Sequence, residues 1–126
     1  MWIFYNKKGK INMEIYDTAN RLAEEIRNSK QYKDLKKSKT KLMSDSNKRQ
    51  LIIDFEELKK EVQLMEVQKM QNKEVDEEAK KEKLAKMYNV LIENKDIKEY
   101  FDYEIAFNQM MVDVNKIIGN SIKDVL

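Results

Sequence analysis

The sequence predicts an all-α protein: an elongated bundle of four or five helices with one long antiparallel helical hairpin. Three observations carry that expectation. The chain holds two glycines and no proline, too few of the residues that a β protein's many turns require. Its last stretch, Asp96 to Ile122, carries two apolar stripes at helical spacing. A middle stretch repeats Leu51, Phe55, Leu58, Val62 and Met65 in steps of four, three, four and three, a heptad-like seam. No segment alternates with period two for long enough to claim a strand.

A chain of 126 residues fits one domain. With 38% charged and 41% hydrophobic residues, it is polar but keeps enough Leu, Ile, Val, Met and aromatics to build a core. Residues 1–12, MWIFYNKKGKIN, stand apart. Their apolar cluster has no helical period, and a flexible extension ahead of a single helical domain over 13–126 is expected. The other reading of this extension is a tail that touches a membrane or docks a partner.

Met13 to Asn28 reads as a short amphipathic helix with Ile15, Ala19, Leu22 and Ile26 on one face. Ser29 breaks the pattern and can cap a second short helix, in which Tyr32, Leu35 and Leu42 share a stripe interrupted by Lys39. Met43 to Asn47 is the best turn, rich in residues that satisfy helix N-termini. The long helix with the 51–65 seam follows, and Gln71 to Glu74 loses the apolar period. Asp76-Glu77-Glu78 then places acids where a new helix start favours them. That helix carries Leu84, Met87, Tyr88, Leu91 and Ile92, and Asn94-Lys95 ends it.

The last helix opens on Asp96-Ile97-Lys98-Glu99, a capping-box pattern. One stripe runs Tyr100, Tyr103, Phe107, Met110, Val114, Ile117, and the other Ile97, Phe101, Ile105, Val112, Ile118, Ile122. Together they span about two thirds of the circumference, so cover is expected on more than one side. Glu104, Asn108 and Asn115 lie inside this apolar arc. They are either register contacts of a dimer or polar residues lining a partner groove.

Several function classes lose their chemistry here. There is no cysteine and no histidine, which removes thiolate metal sites and the commonest general base. The two glycines, Gly9 and Gly119, make no phosphate loop. No run approaches the roughly 20 apolar residues of a membrane span. The apolar Trp2 to Tyr5 precedes Lys7, Lys8 and Lys10, the reverse of a signal peptide. No catalytic residue, cofactor or metal is expected, and a cytoplasmic location follows. The eight methionines suit either core filling or an adaptable surface. The basic segment 30–49 sets Lys33, Lys36, Lys37, Lys39 and Lys41, with Lys30, Lys48 and Arg49, against only Asp34 and Asp45. This face could contact phosphate or an acidic partner, or simply be solvated. Tyr32 is its one aromatic, so base stacking is not suggested.

The stretches EIYDTANRLAEEIRNSKQYKDL, LIIDFEELKKEVQLMEVQKM and NKDIKEYFDYEIAFNQMMVDVNKIIGNSI resemble the YlbF/YmcA family of small helical bacterial proteins, which includes YheA-like members. The resemblance covers the chain from Met13 onward, and Tyr100-Phe101, Asn108 and Ile117-Ile118 are its strongest part. It implies a self-associating cytoplasmic regulator that acts through protein partners in a YlbF/YmcA/YaaT-like complex. That complex modulates the endoribonuclease RNase Y and so mRNA processing, competence, sporulation and biofilm formation. Iron–sulfur clusters held by cysteines in some members of such a complex have no counterpart ligands here. A non-catalytic homodimeric adaptor is therefore expected, joined through the last helix and the 51–65 seam. The alternatives are an RNA-binding accessory protein using the basic segment, or a small helical chaperone or structural coiled-coil protein.

Overall fold

The computed structural model describes residues 13–74 and 76–126, and the expected N-terminal extension lies outside them. The described chain is helical almost throughout: α1 (Met13–Asn28), α2 (Lys30–Met43), α3 (Ser46–Met70), α4 (Glu77–Leu91) and α5 (Lys95–Ile122), closed by a 3-10 turn at Lys123–Val125. There is no strand among the described residues.

Side-chain caps set the starts of α2, α3 and α5. Ser29 accepts from the Tyr32 amide at 3.2 Å, and Asp45 from the amides of Asn47 and Lys48 at 3.0 and 3.1 Å. Each satisfies backbone donors that the first helical turn leaves unpaired. The start of α5 differs from the capping box expected at Asp96. Asn94 is the cap, accepting from the amides of Asp96 and Ile97 at 3.0 and 3.2 Å. Asp96 is thereby freed to take Lys41 at 3.1 Å and Lys48 at 2.9 Å, one from α2 and one from α3. Between α3 and α4 the chain turns at Asn72, whose φ of 61° is left-handed, a conformation asparagine tolerates better than most residues.

The core is a hub where four helices meet. Leu42 of α2, Ile52 and Phe55 of α3, Leu91 of α4, and Ile97, Tyr100 and Phe101 of α5 are buried together. Phe101 is its aromatic centre, with ring centroids 5.3 Å from Phe55, 5.6 Å from Tyr88 and 5.9 Å from Tyr100. Full burial of side chains such as Leu42 and Ile97 contributes about 1.5–3 kcal/mol each.

Two arms leave the hub. In one, α3 and α4 form the expected antiparallel hairpin, with Phe55 beside Tyr88 at one end and Lys69 paired with Glu77 at the other. In the other, α2 lies antiparallel along α5, from Lys41–Asp96 to the Tyr32–Phe107 ring contact at 6.1 Å. Helix α1 packs on α2 and buries no residue; Leu22, Ala23 and Ile26 are half-buried, while Ile15 and Ala19 are exposed.

The 51–65 seam is rotated by one residue at its start. Ile52 is buried and Leu51 is 43% exposed, because the α3 face that meets both α4 and the hub passes through 52. Phe55, Leu58 and Val62 are buried within this one chain, and Met65 is half-buried. The seam is filled by the hairpin itself, so those three residues present no free surface to a second copy. In α2, Lys39 is exposed and Ser38 is buried at the step where the apolar stripe breaks.

Candidate interaction surface

Helix α5 is 28 residues long, about 42 Å at 1.5 Å per residue, and the hub covers only its first two turns. Beyond Phe101 the cover is one-sided. Tyr103, Phe107, Met110 and Val114, at steps of four, three and four, are half-buried, and Phe107 packs against Tyr32 of α2. Most of this stripe is therefore already used inside the chain. Ile117, its last member, is 71% exposed.

The other stripe is open. Ile105 is 62% exposed, and Val112, Ile118 and Ile122 are each more than 40% exposed. Asn108 and Asn115 lie in the same strip, exposed and without a side-chain hydrogen bond among the described residues. Glu104 sits at the boundary, half-buried, and its Oε2 accepts from the Tyr100 hydroxyl at 3.3 Å. Burial, then the Glu104 charge, pushes the Tyr100 phenol up to about 12. Tyr103 is raised as well, first by the nearby charge of Glu99. Glu104 thus belongs to the edge of the hub, whereas Asn108 and Asn115 face outward.

The basic residues divide by partner. Lys30 pairs with Asp34 at 2.9 Å, and Lys41 is engaged by Asp96. Lys33, Lys36, Lys37 and Lys39 have no ion-pair partner among the described residues; Lys36 lies 6.0 Å from the Tyr32 ring centroid. Lys33, Lys36, Lys37 and Lys41 line an open depression of about 570 Å³ together with Thr40. Tyr32 is turned toward Phe107, so this face offers lysines but no platform for a base.

Elsewhere the described residues offer a smaller cavity of about 260 Å³ lined by Asp34, Lys37, Ser38, Lys41, Glu99 and Tyr103, no group of three or more His, Cys, Asp or Glu that could hold a metal ion, and no helix long and apolar enough to cross a membrane. The buried acid Glu77, 4% exposed, is held by Lys81 and by Lys69 at 3.5 Å, which lowers its pKa, the Lys81 hydrogen bond foremost. Its position as the second of three consecutive acids gave no sign of this burial, since it depends on which lysines the hairpin brings across.

Comparison with known proteins identifies the lineage of this all-helical arrangement. Residues 15–123 match the family described as "Control of competence regulator ComK, YlbF/YmcA". The chain belongs to the YlbF/YmcA family. Among its relatives is a UPF0342 protein of Desulfitobacterium hafniense, 34% identical over 115 residues that span 90% of this chain and 89% of the relative. A UPF0342 protein of Symbiobacterium thermophilum is 34% identical over 108 residues, 86% of this chain and 93% of the relative. A similar fold occurs in the crystal structure of Bacillus subtilis RicA in complex with RicF. There the TM-score is 0.58 and the identity 18%, covering 90% of this chain and 97% of the other. Tyr100 and Phe101 lie in the hub and Asn108 in the open strip, on either side of the boundary between them.

Proposed function

We propose that this protein is a non-catalytic, cytoplasmic regulatory adaptor that works by protein–protein contact in an assembly of the YlbF/YmcA type. The observation that carries this reading is the distal half of α5, anchored along one face by α2 and open along the other. An apolar strip of this kind marks an interaction site more often than chance exposure does. The similarity to a protein crystallised as RicA with RicF supports partners of the same family. Through that family the assembly is connected to RNase Y-dependent mRNA processing and developmental control. Self-association through α5 is part of the same reading, with Ile105, Asn108, Val112 and Asn115 as its contacts.

The test is a pull-down from native lysate with nuclease treatment. Defined partners are expected, with recovery lost on Ile105→Asp or Val112→Asp, both at exposed positions that leave the hub intact. Undiminished recovery with both variants would overturn the reading, and indiscriminate capture of unfolded chains would favour a chaperone instead. A second reading, RNA binding, is favoured by the unpaired Lys33, Lys36, Lys37 and Lys39. It requires binding at low salt that falls steeply as salt rises, and that disappears when these four become Glu.

A further inference from the structure

The cavity of about 260 Å³ lies between two helices, with Asp34, Lys37, Ser38 and Lys41 contributed by α2 and Glu99 and Tyr103 by α5. Ser38 is only 8% exposed, yet its side chain makes no hydrogen bond among the described residues. A hydroxyl inside a helix can bond back to a carbonyl three or four residues earlier, as those of Thr40, Ser44 and Ser121 do. Ser38 instead keeps its donor free at the wall of the cavity. A buried polar group left without a partner is costly, so a ligand that accepts from this hydroxyl gains a bond the chain does not make.

The charges around the cavity are incomplete as well. Lys41 is held by Asp96 and Asp34 by Lys30, so those two are answered within the chain. Lys37 and Glu99 are not. They line the cavity from opposite helices, both exposed, and neither makes an ion pair among the described residues. The Glu99 charge acts on the Tyr103 phenol beside it. A cation and an anion that border one space without meeting give that space two poles.

We infer that this cavity binds a small zwitterion of the amino-acid type. Its carboxylate lies against Lys37 and accepts from the Ser38 hydroxyl, and its ammonium donates to Glu99 and the Tyr103 phenol oxygen. A simple anion would leave Glu99 unanswered beside it, and a simple cation would do the same to Lys37. The volume is below the roughly 300–1,000 Å³ of sites for drug-sized ligands, which suits one small metabolite. This site goes beyond the adaptor reading and does not depend on it. A ligand held there ties α2 to α5, the arm along which the open strip runs.

The test is titration calorimetry on the full chain with glycine, β-alanine and γ-aminobutyrate, whose charges move apart by one methylene at each step. Acetate and methylammonium serve as half-ligands. Saturable binding of at least one zwitterion by about 10 mM is expected, with both half-ligands roughly tenfold weaker. Because the folded chain alone holds the ligand, saturation also raises the urea midpoint. Lys37→Gln and Glu99→Gln, both at exposed positions, should each weaken binding roughly threefold to tenfold. Ser38→Ala removes one hydroxyl and should weaken it roughly threefold. Glu99→Gln also separates this site from RNA binding, since removing an acid beside the lysines favours a polyanion. No saturation by any of the three zwitterions, a half-ligand that binds as tightly as they do, or an affinity unchanged by either Gln variant would overturn the inference.

Discussion

Ile97, Tyr100 and Phe101 are at most 6% exposed, whereas Ile105, Ile117 and Ile118 on the same helix are 47–71% exposed. The two halves of α5 are similarly rich in large apolar residues, and the difference is not in the side chains but in what reaches them. Three other helices converge on the first two turns, so each apolar group there loses its water. Farther along, α2 covers one face and the rest stays hydrated. The proximal half stabilises the fold, and the distal half leaves an uncompensated apolar strip, which is what association requires.

That contrast can be broken most severely at its buried end. Ile97→Ala removes a fully buried side chain from a site bounded by four helices, and should cost about 2–5 kcal/mol, measured as a shift in urea midpoint. A smaller, pH-dependent effect is expected at the rim of the hub. The hydrogen bonds from Lys48 and then Lys41 hold the Asp96 carboxyl below its ordinary value of 3.8. A lowered folded-state pKa means that the unfolded chain binds the proton first as the medium acidifies. The contribution is therefore present above about pH 4 and is lost as pH falls through the folded-state value. Asp96→Asn should flatten the decline of the urea midpoint below pH 4 while leaving the cap at Asn94 in place. Wild-type acid sensitivity in that variant would remove Asp96 from the account. The smallest effect belongs to the distal half: Ile117→Ala, at 71% exposure, should change stability by no more than about 0.5 kcal/mol. A cost approaching that of Ile97→Ala would mean the end of α5 is covered after all.

How far the sequence could be read follows the same division. Helix existence was legible because caps and period agree: Ser29 and Asp45 sit where their side chains close the first turns. The start of α5 was misplaced because Asn94 and Asp96 are both competent caps two residues apart, and the choice depended on lysines arriving from α2 and α3. Leu51 and Ile52 posed a similar ambiguity. Adjacent apolar residues support two seams of the same period about 100° apart, and only the positions of α4 and α5 select between them. The wide arc of α5 was visible, but a stripe used by α2 and a stripe left open have the same spacing. Partition between inside and outside is a property of packing.

The buried Glu77 gives the two ends of the α3–α4 hairpin different sensitivities. At the hub the hairpin closes on Phe55, Tyr88 and Phe101, contacts indifferent to electrolyte. At its far end it closes on Lys69, Lys81 and Glu77, with Lys80–Glu61 and Lys81–Glu66 alongside. The lysines of that cluster are 36–65% exposed, so added salt weakens their hold, and acid removes the Glu77 charge that Lys69 and Lys81 share. Ionic strength and proton activity thus act on the hairpin tip, while solvents of apolar groups act on its base, and the hairpin can loosen from one end without the other.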